Sequence, residues 1–314
     1  MAGYGSYDSE RQTPGRQRRY RRQHERLSSN INMTTNAQAA MHVNHNKRVH
    51  DSVVPIYERI HTEIFNPTEQ ARIAGALKDA ISKVTPSAEI PLVLDFGAGT
   101  GNLTGHLLNL GARVVAADVS LKTLALLKDK FSETGRFEIS ELNGIDLSNL
   151  NDNSFDMVAT YSVLHHVPDY LGIVKEFVRV TKPGGVIYID HESSPCFWLE
   201  KSEDNKAYQM EYQMVYGQPF IGRFVNKLKN LFSYTSWRRL INRTLWGLNG
   251  EGDIHVFKND HIEWQLIEEL LLKQCILIAS VDYLVCREVN PMPPLYLKYK
   301  AICADMRFVV YKKK

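Results

Sequence analysis

Pro91-Leu-Val-Leu-Asp-Phe-Gly-Ala-Gly-Thr-Gly101 is an apolar run that breaks into three glycines at alternate positions, Gly97, Gly99 and Gly101. Leu92, Val93 and Leu94 read as a strand buried on both faces. The glycines then let the backbone turn sharply with no Cβ between it and a ligand. Residues 102–110 carry a helical pattern, so that ligand would meet a helix N-terminus. The spacing narrows its identity. A dinucleotide fingerprint, Gly-x-Gly-x-x-Gly, needs its third glycine at the position held by Asn102, which disfavours a pyrophosphate loop.

Outward from this turn the chain keeps one tempo. Upstream, Asn66-Pro-Thr-Glu69 supplies an N-cap, a proline at the first helical position and an acid at the third. Ile73, Leu77, Ala80, Ile81 and Val84 follow at helical spacing until Pro86 stops the helix. Downstream, Arg113–Asp118 is a second apolar run closed by an acid, and Ser120 is placed to cap a helix carrying Leu121, Leu124, Leu127 and Phe131. Residues 137–142 and Phe155–Tyr161 read as further strands, and Leu171, Val174, Phe177 and Val178 mark the face of a helix between the fourth strand and the fifth. Lys182-Pro-Gly-Gly185 stops that helix and launches a strand over 186–190.

Strands alternating with helices predict a parallel sheet covered on both faces, with ligands at the carboxyl ends of its strands. Asp95, Asp118, residues 143–146, residues 161–166 and residues 190–192 all fall at such ends. The alternation stops at 195 and resumes with a helix over 260–273 and strands over 276–285 and 306–311, the last two separated by the proline-bearing loop 290–294. Five segments result: a basic, disordered tail over 1–40, a helical cap over 41–86, a core over 87–194, a helical lid insertion over 195–259, and a helix with the final strands over 260–314.

Composition sets the outer limits. A chain of 314 residues with 44% hydrophobic content buries one substantial core with elaborations. Its net charge of +3 is unevenly spread, since residues 1–32 hold seven Arg against Asp8, Glu10 and Glu25. That tail is too poor in aliphatic residues to fold alone. Such a charge run is either a solvated extension or an arm for an anionic surface, and nothing in it singles out a nucleic acid. No stretch reaches the roughly 18 apolar residues of a membrane span, and the N-terminus has no apolar signal core, so a cytoplasmic location is expected. Cys196, Cys275, Cys286 and Cys303 are scattered, as expected of reduced thiols.

The glycine turn behind Asp95, Asp118 at the second strand's end, Asp152-Asn-Ser-Phe-Asp156, Leu164-His-His-Val-Pro-Asp169 and Lys182-Pro-Gly-Gly185 resemble, in that order, one family's landmarks. That family is the class I S-adenosylmethionine-dependent methyltransferases, in their small-molecule (methyltransferase domain 11-like) branch. The resemblance covers about residues 90–195. It implies an α/β fold: a Rossmann-like, doubly wound sheet of seven strands, mostly parallel with an antiparallel last strand, plus a helical lid insertion. It also implies S-adenosylmethionine as cofactor. Asp95, Gly97, Ala98, Gly99 and Gly101 would hold its methionine portion, Asp118 and Val119 its ribose and adenine side. Tyr161 would sit at the same edge, and Tyr57 would close over it from the cap. Relatives often carry Gly-Asp-Ala after the third strand, whereas Gly144 stands at that acid's position here. Asn143, Asp146 or main-chain groups near Ile145 would then substitute.

A hydroxyl or amine acceptor must lose a proton, and histidine suits that task at neutral pH. His165, His166 and His191 are the candidate bases, with Glu192 beside His191 able to raise its basicity. Each has an equally good structural role, as a helix cap, a packing residue or an exposed strand end. His255 could reach in from the insertion. No metal-ligand spacing is visible, so no metal is expected. Between Phe220 and Trp246 the insertion holds six basic residues and no acid, with Ile221, Phe224, Val225, Leu228, Leu231 and Phe232 at helical spacing and Trp237 beside Arg238 and Arg239. Either a lid packs this stripe on the core, or the surface receives an anionic lipid, a prenyl-linked or phosphorylated substrate, or a membrane face.

The expected reaction is methyl transfer to an oxygen or nitrogen of a small or lipid/prenyl-linked metabolite. Two alternatives stand beside it. An NAD(P)-dependent oxidoreductase is opposed by Asn102 and by the Lys182-Pro-Gly-Gly185 landmark. A non-catalytic protein of this fold would bind RNA through its Arg-rich tail.

Overall fold

The computed structural model describes residues 34–85, 88–198, 203–216, 252–290 and 292–314. The chain divides into two units, residues 1–41 and 42–314. Helix α1 (Thr34–Val53) begins inside the expected tail, because its alanine-bearing sequence has no Gly or Pro to break a helix. Short α2 (Tyr57–Ile60) and longer α3 (Pro67–Ile81) complete the N-terminal cap. The α3 start is as predicted, with Asn66 Oδ1 accepting the Glu69 N–H at 2.9 Å.

The core runs β1 (Leu92–Phe96), α4 (Asn102–Asn109), β2 (Arg113–Asp118), α5 (Leu121–Phe131), β3 (Phe137–Glu141), β4 (Phe155–Tyr161), α6 (Tyr170–Val180) and β5 (Thr181–Ser193). Then follow α7 (Pro195–Trp198), α8 (Glu203–Tyr216), a small hairpin of β6 (Val256–Phe257) and β7 (Asp260–His261), α9 (Trp264–Leu271), β8 (Cys275–Tyr283), α10 (Pro294–Tyr299) and β9 (Met306–Lys313). The seven-stranded sheet has the order β3-β2-β1-β4-β5-β9-β8, parallel from β3 to β5, with β9 antiparallel to both its neighbours. Strand order reverses between β1 and β4, the switch point where such sheets hold ligands.

Alternation along the strands fills both faces. Leu94, Phe96, Val158, Ile187 and Ile189 point to the side covered by α6 and α9, where Phe177 and Ile267 are fully buried. Val93, Met157, Ala159, Val186 and Tyr188 point to the side covered by α3 and α4, against Ile73, Leu77 and Leu107. Ser120 caps α5 as the sequence indicates, accepting the Thr123 N–H at 3.1 Å.

Several boundaries differ from the sequence reading. Strand β5 starts at Thr181, which pairs with Phe155, so Lys182 to Gly185 form an irregularity inside the strand and not a launching loop. It continues to Ser193 because β9 pairs with Glu192 and Ser193 beyond a second irregularity. Helix α9 starts at Trp264, since Asp260 and His261 are drawn into the hairpin with Val256 and Phe257. The loop between β8 and β9 carries α10, whose Leu295 and Tyr299 pack on Tyr208 of α8. The basic stripe from Phe220 to Trp246 lies outside the described residues. All four cysteines are free, and no helix among the described residues is long and apolar enough to cross a membrane.

Candidate cofactor and acceptor site

One cavity opens at the carboxyl ends of β1, β2 and β4. Its floor is the glycine turn, where Gly97, Gly99 and Gly101 adopt φ of 70°, 52° and 90°. A Cβ on Gly97 would stand 2.5 Å from Val163, and one on Gly101 would meet Phe131 at 2.6 Å. Gly101 therefore serves packing behind the turn as the N-cap of α4, while Gly97 to Thr100 before it and Asn102 after it line the cavity. Two polar atoms in this floor, Thr100 Oγ1 and Asn102 Nδ2, are buried without a hydrogen-bond partner. Orphaned donors of this kind call for a ligand.

Two carboxylates flank them. Asp95 is fully buried, accepts the Thr104 hydroxyl at 2.6 Å, and burial pushes its pKa up to about 7. Asp118 ends β2 and accepts the N–H groups of Gly99 at 3.1 Å and Ser120 at 2.8 Å. Burial raises its pKa as well, against the pull of those amides. Ala98, Val119, Tyr57, Tyr161 and Asp146 line the same cavity.

In the loop after β3, Asp146 lines the cavity, whereas Asn143 and Ile145 do not. Asn143 Oδ1 takes the N–H groups of Ile145 and Asp146, at 2.7 and 2.9 Å, so the Ile145 amide is committed within its own turn. The Ile145 side chain is 61% exposed and does not line the cavity. Asp146 reaches the cavity wall while its Oδ1 accepts from Asn143 and Ser148. The reason for glycine at 144 is steric. Its φ is +76°, and Val43 of α1 occupies the space a side chain would need.

Helix α1 contributes Val43, Asn46, Lys47 and His50 to the cavity wall, which the sequence reading missed. The helix has no apolar stripe to announce a buried face, so only its docking reveals this role.

The three histidines separate into different environments. His166 lines the cavity, its ring edge-on to His50 at 5.2 Å, and burial holds it well below the ordinary histidine range. His165 turns away, with Nδ1 2.8 Å from Glu192 Oε2. Glu192 is buried and also accepts the N–H groups of Val163 at 3.0 Å and Leu164 at 2.7 Å. It thus caps the turn at 164–166 and orients His165, which corrects the expectation that it would assist His191.

His191 does not line the cavity. It is buried behind Tyr161, the rings stacked 4.6 Å apart, in a strained backbone conformation with φ of 63°. Its Nδ1 lies 2.9 Å from the Tyr161 hydroxyl and 3.2 Å from that of Tyr283. Tyr161 donates to Glu69 Oε1 at 3.1 Å and Tyr283 donates to Asp190 Oδ1 at 2.9 Å. Arg72 bridges the two acids, at 2.6 Å from Glu69 and 3.0 Å from Asp190, with its guanidinium 3.8 Å over the Tyr283 ring. His191 is consequently a member of a buried polar network that fixes Tyr161 from behind. His255 packs on Tyr170 and pairs with Asp260 at 2.5 Å.

Comparison with known proteins follows the same boundaries. Residues 94–189 match the methyltransferase-domain family. A demethylmenaquinone methyltransferase of Lactococcus lactis is 32% identical over 142 residues, 44% of this chain and 54% of that protein. A ubiquinone biosynthesis O-methyltransferase of Albidiferax ferrireducens is 34% identical over 98 residues, 31% of this chain and 39% of that protein. The chain thus spans about half or less of the length of these two relatives. Among solved structures, an S-adenosylmethionine-dependent methyltransferase from Mesorhizobium loti aligns with a TM-score of 0.47 and 16% identity, over 75% of this chain and 96% of that one.

Proposed function

We propose that this chain, whose residues 94–189 match the methyltransferase-domain family, is a class I S-adenosylmethionine-dependent methyltransferase that transfers a methyl group to an oxygen or nitrogen of a small or lipid/prenyl-linked metabolite. The observation that carries this reading is the pair of orphaned polar atoms, Thr100 Oγ1 and Asn102 Nδ2, in a cavity that Asp118 and the neutral His166 also line.

The residues present fit the cofactor. Asp118 offers carboxylate oxygens to the ribose hydroxyls, and the glycine turn with Asp95, Thr100 and Asn102 receives the polar methionine end. When bound, S-adenosylmethionine supplies a methyl group activated for in-line displacement, so the protein's main task is positioning. Tyr161, held from behind by Glu69 and His191, gives that cavity a rigid wall. Tyr57 and the α1 residues Val43, Asn46, Lys47 and His50 add to the cavity wall. His166 lines the cavity with its ring uncharged through burial, and is the candidate histidine positioned to take up the proton an acceptor hydroxyl or amine must lose. Relatives named as a demethylmenaquinone methyltransferase and a ubiquinone biosynthesis O-methyltransferase support a quinone-class, lipid-linked acceptor.

Calorimetric titration with S-adenosylhomocysteine and, separately, NADH tests the cofactor; binding of NADH alone would refute the assignment. Incubation with methyl-labelled S-adenosylmethionine and a fractionated extract tests the acceptor. Label in the lipid fraction is expected. Label confined to polar metabolites would remove the lipid-linked part of the reading.

A further inference from the structure

Beside the cavity, His165, His166 and Asp253 each offer one ligand atom, all within 4.8 Å of one another. Asp253 Oδ1 lies 3.3 Å from His166 Nδ1 and 3.8 Å from His165 Nε2. In a tetrahedral site with bonds of about 2.1 Å, neighbouring donor atoms stand about 3.4 Å apart, so two of the three edges are already close to that length. His166 Nδ1 is buried and makes no hydrogen bond.

The surroundings present each donor. Glu192 is an acceptor when ionised, so the His165 Nδ1 facing it at 2.8 Å carries the proton, and Nε2 is the ring nitrogen on the Asp253 side. A carboxylate behind a histidine in this manner orients metal-binding imidazoles and raises their basicity. The same Glu192 takes the Val163 and Leu164 amides, which locks the turn bearing both histidines. Asp253 is delivered from the far end of the insertion. Ile254 and His255 donate their N–H groups to the His165 carbonyl, each at 3.1 Å, so the segment is pinned to the turn it completes.

From this geometry we infer that His165, His166 and Asp253 bind a single divalent transition-metal ion of the zinc class, with Glu192 as the group that orients His165. Two imidazoles and one carboxylate suit borderline ions such as Zn2+ or Co2+ better than Mg2+, which prefers oxygen donors and retained water. Three protein ligands leave a position open, and His166 puts the ion at the edge of the cavity. Adjacent histidines have no recognised ligand spacing, and the carboxylate comes from 87 positions downstream of His166, so the sequence reading expected no metal. The inference does not depend on the methyl-transfer assignment, because its readout is metal binding; an ion held at His166 Nδ1 would take that ring out of the role of base.

The test titrates chelator-treated full-length chain with Zn2+ in the calorimeter and records the absorption spectrum after Co2+ addition. One equivalent of metal is expected, with a Co2+ spectrum typical of four-coordinate nitrogen and oxygen ligation. Asp253→Asn and His166→Gln should each weaken Zn2+ binding at least about tenfold, and Glu192→Gln by about 10- to 100-fold. Undiminished binding in Asp253→Asn and His166→Gln, or no binding by the wild type, would overturn the proposal. If a variant fails to fold, X-ray absorption of the zinc-loaded wild type decides: two imidazole ligands support the site, and a shell without them removes it.

Discussion

Glu192 reaches past its own neighbour His191 and holds His165, its Oε2 lying 2.8 Å from His165 Nδ1. Two residues adjacent in sequence thus serve opposite sides of β5: Glu192 supports the turn after β4, and His191 supports Tyr161 within the buried network.

That division predicts the behaviour of His191→Asn, a substitution that tolerates the positive φ at this position. Melting should show a loss of about 1–3 kcal/mol, the range for a buried hydrogen bond left incomplete. Turnover should change less than about tenfold. A fall of about 100-fold or more at unchanged cofactor affinity would instead mark His191 as a base.

At the cofactor end, Asp118→Ala removes the carboxylate assigned to the ribose. S-adenosylhomocysteine affinity should drop by about 1–3 kcal/mol, as for charged hydrogen bonds. Equal affinities by calorimetry would exclude the ribose role.

Asp95 supplies a pH dependence. Its pKa of about 7 in the fold stands above the 3.8 of an ordinary aspartate, because burial disfavours the charge. Between those values the folded chain keeps a proton that the unfolded chain releases. Stability is therefore fully present below pH 4 and falls as pH rises through 7, by up to roughly 4 kcal/mol for this group alone. Asp95→Asn can still accept the Thr104 hydroxyl and should gain stability relative to wild type from pH 5 to pH 8. Denaturation midpoints at four pH values check this; a pH-independent difference would contradict it.

Docking of α1 over the loop after β3 rests on a small contact that a double-mutant cycle can isolate. Gly144→Ala meets Val43 and a φ of +76°, and should cost about 1–3 kcal/mol. Val43→Ala combined with it should recover the steric part, leaving the backbone strain, so the coupling should be about 0.5 kcal/mol or more. Strict additivity would mean that the two residues do not touch.

Arg72 lies between Glu69 and Asp190 in the buried network and pairs with both. Arg72→Met leaves two buried acids uncompensated and should destabilise the fold by about 3–5 kcal/mol, read from thermal or chemical unfolding. A change below about 1 kcal/mol would show that the acids take up protons without structural consequence.

The core was legible because its signals are local. Leu92 to Phe96 and Phe155 to Tyr161 announce buried strands by composition, Asn66 and Ser120 announce helix starts by their side-chain chemistry, and the glycines of the turn announce a ligand by the absence of Cβ atoms. Most of the candidate cofactor residues belong to those same short motifs. Gly101 and Ile145 lie outside the cavity lining for different reasons. The first is consumed by packing on Phe131, and the second by a turn in which Asn143 takes its amide.

By itself the sequence determined the alternating α/β core, its ligand-bearing edge and the glycine turn, since each follows from periodicity and from groups within a few residues of one another. Only tertiary structure decided which histidine faces the cavity, that Glu192 serves His165, that Val43 excludes a side chain at Gly144, and that Asp253 meets His165 and His166. Those facts depend on strand register and on the docking of distant segments, and long-range contacts of that kind leave no periodic trace along a single chain.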